Sequence, residues 1–124
     1  MGSTTQNRNH YQLGLSSMKF LFALFASLFL ALPAWAVDVK MGSNMNLVFD
    51  PSEITIDAGD TITFVNDSLP PHNVIVEDHP EISHDGLAFS PGETIEVTFP
   101  ESGDFNFWCE PHKGAGMTGV VHVN

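Results

Sequence analysis

Basic residues are scarce in this sequence, which sets four lysines and arginines against fifteen aspartates and glutamates in 124 residues. The resulting formal charge of −11 argues against a nucleic-acid-binding protein, because that class needs a basic face for the phosphates. It argues equally against electrostatic attraction to an anionic lipid surface. The acidic balance instead favours docking onto a basic partner.

Cysteine is almost absent, since Cys109 is the single one in the sequence and cannot form an internal disulfide. Small exported domains commonly depend on disulfides, so a bound metal ion is a reasonable substitute to look for. A lone cysteine in an exported protein is a free thiol, a link to another chain or a metal ligand. The role of Cys109 must therefore be inferred from the residues around it.

No apolar run is long enough to span a bilayer comfortably, which takes about 20 residues. The strongest run, residues 20–32, follows Lys19 and leads into Ala34-Trp35-Ala36, the pattern of a secretory signal peptide. We therefore predict a leader over residues 1–36, cleaved after Ala36, and one domain over residues 37–124. An uncleaved anchor is the alternative, and Met18 is a second candidate start. The domain keeps two lysines and all fifteen acids, a charge of −13.

Helical periodicity is also missing from residues 37–124, where short runs of alternating apolar residues are separated by turn residues. This pattern, with many β-branched residues, predicts an all-β sandwich of seven to eight strands. The strands are expected near residues 37–41, 47–49, 54–56, 61–65, 73–76, 94–99, 104–109 and 119–123. The acid-rich stretch 77–86 contains Pro80 and is expected to be a polar loop.

Four side chains suited to a soft metal ion stand at the ends of these strands. Cys109, His112 and Met117 form a C-x2-H-x4-M motif between two predicted strands, and His72 begins another strand. Two imidazoles, a thiolate and a weak axial thioether are the ligands of blue-copper electron-transfer sites, whereas methionine is a poor zinc ligand. Each residue alone has an ordinary explanation in core packing. The joint spacing is specific and predicts one copper ion, Cu(I) or Cu(II).

The residues around this motif resemble plastocyanin, the family of soluble copper carriers of photosynthetic electron transport. The resemblance rests on Pro71-His72-Asn73 and on the run from Cys109 to Met117, and it covers essentially all of residues 37–124. The Gly-Ala-Gly-Met ending is closer to plastocyanin than to pseudoazurin or halocyanin. Glu110 and Lys113 look more like cyanobacterial members than plant ones.

The resemblance implies a cupredoxin Greek-key β-sandwich with a type 1 copper site near one end. The implied copper ligands are His72, Cys109, His112 and Met117, and Asn73 would tie the His72 loop to the Cys109 loop as an outer contact. The implied role is a one-electron carrier, not an enzyme. It would be a monomer that receives electrons from cytochrome f and passes them to photosystem I. The implied location is the thylakoid lumen, with the periplasm as the alternative.

The same resemblance implies a docking surface around the exposed edge of His112. Its apolar part would be Leu47, Pro71, Leu87, Pro111, Gly114 and Ala115, with Lys113 and Trp108 beside it. Trp108 stands where the family usually has a surface tyrosine, and strand alternation predicts that it faces outward. It is either a side platform for partner contact or electron entry, or an exposed aromatic residue in cross-strand packing.

The interval between His72 and Cys109 is shorter than in plant plastocyanins, and the missing piece falls within residues 77–86. Four acids in that stretch could still form a weaker acidic patch: Glu77, Asp78, Glu81 and Asp85. The docking geometry of plant members is therefore not carried over. The other histidines of the domain, His79, His84 and His122, are expected to be solvated.

Three alternatives to this carrier remain at this point. A cupredoxin of the pseudoazurin or halocyanin kind would serve another redox partner. A domain of a copper oxidase or nitrite reductase would be an enzyme, but those commonly use histidines beside the cysteine, and here Trp108 and Glu110 flank it. A copper-delivery protein could use Met41 and Met45. Four protein ligands with no open position favour a carrier, because catalytic metal sites keep a position free.

Overall fold

The computed structural model describes Gly2 and residues 35–124. The predicted leader lies outside these residues except for Gly2 and its last two positions, so the cleavage after Ala36 stays a prediction. Within the described part of the chain, no helix is long and apolar enough to cross a membrane.

The described residues contain nine strands and two short 3-10 helices, Ser43–Met45 and Glu110–Ala115. The strands are β1 (Ala36–Met41), β2 (Phe49–Asp50), β3 (Glu53–Ile56), β4 (Thr61–Asn66), β5 (His72–Val76), β6 (His84–Ala88), β7 (Thr94–Thr98), β8 (Gly103–Trp108) and β9 (Thr118–Val123). The prediction of an all-β chain is confirmed, and the nine strands exceed the expected seven to eight.

The strands form two sheets with the orders β2-β1-β4-β7 and β3-β9-β8-β5-β6. Strands β1 and β4 are parallel, as are β3 and β9, and the other pairs are antiparallel. Buried apolar side chains alternate with exposed ones along strands such as β3, where Ile54 and Ile56 are buried and Glu53 and Thr55 are exposed. This period-two pattern is the one on which the strand predictions depended.

Strand β6 corrects the prediction that residues 77–86 form a loop. Turns occupy the first part of this stretch, but His84–Ala88 pairs antiparallel with β5 at the edge of the second sheet. Four of its five residues are exposed, and Ala88 alone is buried. An edge strand with one buried residue has no alternating apolar signal, because only its backbone takes part in the sheet.

The core between the sheets is centred on three phenylalanines. Phe49 and Phe64 come from the first sheet and Phe107 from the second, and their ring centroids lie 4.8 to 5.8 Å apart in edge-to-face contacts. Edge-to-face packing is the favoured arrangement of aromatic rings at these distances. The two sheets are thereby joined just below the end of the sandwich at which β8 ends and β9 begins.

Candidate metal centre

The hairpin of β8 and β9 brings Cys109 and Met117 together at one end of the sandwich. Trp108 pairs with Thr118 across the two strands, so the residues that follow and precede them are neighbours. The Cys109 N–H donates to the Met117 carbonyl at 3.1 Å, and both side chains are fully buried. The strand pairing thus places a thiol and a thioether side by side, as the C-x2-H-x4-M spacing requires.

The loop between these two residues carries His112. It forms the 3-10 helix Glu110–Ala115 and ends at Gly116, whose φ of +88° favours glycine. The Met117 N–H then donates to the His112 carbonyl at 3.2 Å, which closes the loop. His112 is half-buried, whereas its neighbours on the loop are exposed.

His72 reaches the same point from β5, which is antiparallel to β8. Its ring is fully buried, and Nε2 lies 2.7 Å from the Ser68 carbonyl oxygen. A carbonyl can only accept, so Nε2 carries the ring proton and Nδ1 keeps its lone pair. Nδ1 faces the Cys109 Sγ at 3.7 Å.

The donor atoms of His72, Cys109 and His112 all lie within 4.8 Å of one another. The His112 Nδ1 is 3.5 Å from the Cys109 Sγ, and the two imidazole rings meet edge to face at 5.1 Å. One ion with metal–ligand bonds of about 2.0–2.3 Å can contact all three atoms at these separations. With Met117 beside them, the four side chains are arranged as a type 1 copper site.

Burial sets the proton affinities of the two fully buried donors. It raises the pKa of the Cys109 thiol, although hydrogen bonds to the backbone partly oppose this. Burial also lowers the pKa of His72, against the effect of its bond to the Ser68 carbonyl, and the nearby His112 lowers it further. His72 is therefore kept neutral, as a metal ligand must be, and binding of a metal ion must displace the Cys109 proton.

Asn73 connects the segments that hold the donors. The Glu110 N–H donates to its Oδ1 at 2.8 Å, and its Nδ2 donates to the Asp85 carbonyl at 3.1 Å. Its side chain is buried, whereas the two residues that it bonds, Glu110 and Asp85, are exposed. The contact joins β5 to the residue after Cys109, which is the role that the resemblance assigns to Asn73.

The expected docking residues lie on the 3-10 helix that carries His112 and on several other segments. Pro111, Lys113, Gly114 and Ala115 are all exposed on the 3-10 helix that carries it. Leu87 is 39% exposed and directly precedes Ala88, which pairs with His72. Leu47 and Pro71 are half-buried, in the loops before β2 and β5.

Trp108 has a contact that the sequence does not reveal. It is half-buried, on the face of β8 opposite Phe107, and the Lys113 Nζ lies 3.6 Å from its ring centroid. This cation–π contact ties the His112 loop to the strand. Trp108 also lines a surface groove with Asp78 and Asp85. All four acids of the expected patch are exposed: Glu77, Asp78, Glu81 and Asp85.

Two further residues support the donors and are not revealed by the sequence. Ser68 provides the carbonyl that holds His72, and Gly42 packs against that carbonyl from the loop after β1. Neither belongs to a recognisable motif. Their role depends on close contact between Gly42 and Ser68, which are 26 positions apart in the sequence.

An all-β sandwich that gathers two imidazoles, a thiol and a thioether at one end defines a type 1 copper protein with the cupredoxin fold. Residues 35–124 match the family described as copper binding proteins, plastocyanin/azurin family. The chain belongs to this family.

Individual relatives agree with this assignment. The chain is 41% identical over 121 residues to the chloroplastic plastocyanin of Oryza sativa subsp. indica, covering 90% of this chain and 79% of that protein. It is 40% identical over 115 residues to the chloroplastic plastocyanin of Physcomitrium patens, covering 86% and 68%. The oxidised plastocyanin of Dryopteris crassirhizoma has a similar structure, with a TM-score of 0.63 and 26% identity over 71% of this chain and 100% of that chain.

These findings confirm the predicted fold, the copper cofactor and the class of function. The chain is a copper electron carrier that resembles plastocyanin, and it is not an enzyme. The oxidase and nitrite reductase alternative is thereby removed. The closer likeness to cyanobacterial members stays a prediction.

Proposed function

We propose that this protein carries single electrons from cytochrome f to photosystem I in the thylakoid lumen. The observation that supports the proposal most is the cluster of His72, Cys109 and His112, with Met117 buried beside it. The relatives described above are named chloroplastic plastocyanins, which is consistent with this location and these partners. A periplasmic carrier with another redox partner is the competing assignment.

In such a carrier, different residues of the chain would hold the copper ion, exclude water and fix the positions of the donors. A copper ion held by these four residues would supply a one-electron couple between Cu(I) and Cu(II). Cys109 and Met117 are fully buried, so water is kept from the sulfur ligands. The hairpin bonds and the Asn73 bonds fix the donors in one arrangement, which keeps the structural change between oxidation states small.

The electron would leave through His112, because it is the least buried of the proposed ligands. The small side chains of Gly114 and Ala115 let a partner's cofactor come close to the ring, and Pro111 adds apolar surface. A weak, brief contact on such a surface suits rapid exchange of partners. We place Leu47, Pro71 and Leu87 at the margin of this surface.

The first experiment measures the visible spectrum of the purified chain after addition of Cu(II). We expect an intense thiolate–copper band that disappears on reduction and is absent in Cys109→Ser. Met117→Leu should keep a coloured site with a higher reduction potential, whereas Met45→Leu, at an exposed methionine outside the site, should leave the potential unchanged. A colourless copper adduct would contradict the proposed ligand set and reopen the zinc and copper-delivery functions.

The second experiment tests the docking surface and the partners. Ala115→Leu should slow electron transfer from cytochrome f and to photosystem I, because the added bulk holds the partner's cofactor away from His112. Ala58→Leu is the matched control, since Ala58 is exposed at the opposite end of the sandwich, bonded to the carbonyl of Asn124. Equal rates for the two variants would reject this surface. Failure of the unmodified chain to react with either partner would favour the competing assignment.

A further inference from the structure

We propose that the hydroxyl of Ser68 is a positioning group for the metal site, because it fixes the backbone carbonyl that orients His72. The inference rests on the proposed ligand set, and it adds a residue that does not touch the metal. Three contacts carry it: one from Ser68 to His72 and two from Ser68 to the loop after β1.

The contact with His72 is made by the Ser68 main chain. Its carbonyl oxygen accepts the Nε2 proton of His72 at 2.7 Å, which leaves Nδ1 directed at Cys109. Partners of this kind determine the tautomer and the ring orientation of a ligating histidine. The position of one carbonyl therefore sets the direction of the lone pair that a metal ion would use.

The contacts with the loop are made by the Ser68 side chain. Its Oγ donates to the Gly42 carbonyl and accepts the Met45 N–H at 3.1 Å. The Ser68 N–H also approaches the Met41 carbonyl at 3.4 Å. These bonds hold Ser68 between the end of β1 and the 3-10 helix Ser43–Met45. The peptide group that contains the Ser68 carbonyl is thereby restrained from rotating.

Gly42 also packs against the Ser68 carbonyl and the His72 ring. It has a φ of +80°, and a Cβ at this position would collide with the Ser68 carbonyl oxygen and lie 2.7 Å from the His72 Nε2. The glycine backbone is thus packed directly against the hydrogen bond between Ser68 and His72. The close packing and the side-chain bonds are separate features of the structure, and both restrict the same carbonyl.

Removal of the hydroxyl should loosen this carbonyl without removing it. In Ser68→Ala the Gly42 carbonyl and the Met45 N–H lose their shared partner, and His72 keeps only an untethered acceptor. Loss of an outer partner of a ligating histidine costs about 10- to 100-fold in metal affinity or activity. The Ser68 hydroxyl does not contact His72 itself but restrains the carbonyl that does. We therefore expect about a 10-fold loss of copper affinity, at the low end of that range.

Ser83 offers a matched control in the same chain. Its hydroxyl also joins backbone groups, accepting the Val76 N–H at 2.8 Å and donating to the His79 carbonyl at 2.8 Å. It is half-buried, as Ser68 is, and it lies in the turn after β5. Ser83→Ala therefore removes the same kind of bonds without touching the support of His72.

The test compares Ser68→Ala, Ser68→Thr and Ser83→Ala with the unchanged chain. Copper affinity is measured by chelator competition, and the exchange rate of the His72 Nε2 proton is measured by NMR in the metal-free protein. We expect Ser68→Ala to weaken copper binding and to speed this proton exchange, Ser68→Thr to restore both, and Ser83→Ala to lower stability alone.

A Ser68→Ala variant that only loses stability, with affinity changed by less than about two-fold and unchanged proton exchange, would overturn the proposal. Failure of the proposed function is distinguished by the unchanged chain, which would then show no thiolate–copper band. In that case the proton exchange in the metal-free protein still decides whether Ser68 orients His72.

Discussion

Gly42 illustrates at the scale of one residue how the backbone supports the site. Its positive φ makes any other residue unfavourable, and the Ser68 carbonyl leaves no space for a Cβ. Gly59 provides the comparison, because it has a φ of +93° but nothing within 4 Å of its Cβ position. A side chain at Gly59 would therefore have only the conformational cost of a positive φ, whereas one at Gly42 would have a steric cost as well.

We predict that Gly59→Ala lowers the free energy of unfolding by about 1–2 kcal/mol, the cost of a left-handed conformation. Gly42→Ala should cost more than this, since its Cβ must displace the Ser68 carbonyl as well. Urea unfolding of the metal-free protein measures both values, and copper titration should show weaker binding for Gly42→Ala alone. Equal costs for the two variants would mean that the loop relaxes and that the contact with Ser68 is not tight.

The sequence reveals the donors of the site but not the groups that hold them. Cys109, His112 and Met117 are visible because one short hairpin loop contains all three, and the resemblance supplied Asn73. Ser68 and Gly42 could not be predicted, since a serine and a glycine in turns have many ordinary uses. The contact of Lys113 with Trp108 also depends on how the 3-10 helix folds back over β8.

At the scale of elements, the sequence reveals the eight expected strands but not β6. Strands that contribute several residues to the core have a period-two pattern, and their bounds were predicted within a few residues. The run at 47–49 is the weakest of these, since β2 is only Phe49–Asp50. Strand β6 is held by backbone bonds to β5, and backbone bonds leave no trace in the pattern of side chains.

Three strands of the second sheet are joined by one histidine on its outer face. On β9, the His122 Nδ1 lies 2.7 Å from the Asp104 carboxylate of β8, and Nε2 lies 2.8 Å from the Glu53 carboxylate of β3. Two carboxylates favour the protonated ring. They raise the pKa of His122, and the hydrogen bond to Asp104 has the largest effect.

We predict that this arrangement makes the stability of the chain dependent on pH. The folded pKa lies above the unfolded value of about 6.5, so the stabilisation is fully present below that value. It is lost as pH rises through the folded pKa of His122. Thermal unfolding of the metal-free protein between about pH 5.5 and 8.5 should show a decline that is smaller in His122→Gln.

His84→Gln is the control for this measurement. The His84 Nδ1 lies 3.0 Å from the Gly86 carbonyl, and its ring is exposed on the edge strand β6. Its replacement should leave the pH dependence as it is in the unchanged chain. If His122→Gln and the unchanged chain have parallel pH profiles, the two carboxylates do not stabilise the protonated ring in solution.

At the scale of the whole molecule, most of the acids lie outside the loop that carries His112, where Glu110 stands with Lys113. Residues 37–124 contain two lysines against fifteen acids, and Lys113 lies on the loop that carries His112. The four acids Glu77, Asp78, Glu81 and Asp85 lie on the stretch beside the Trp108 groove. A cation that approaches the chain is therefore attracted over much of its surface, while Pro111, Gly114 and Ala115, which belong to the proposed docking surface, carry no charge.

We predict that this charge steers oxidants by their sign. Oxidation of the reduced protein by a trivalent cationic cobalt complex should slow as salt rises from about 10 mM to about 0.5 M, because screening shortens the range of attraction. Oxidation by hexacyanoferrate(III), an anion, should quicken over the same range. Neutralising the 77–85 acids should reduce the cation's salt dependence more than neutralising a control set of exposed acids, Asp38, Asp57, Glu96 and Glu101. Equal reductions would mean that net charge alone steers the encounter, and rates independent of salt for both oxidants would exclude steering.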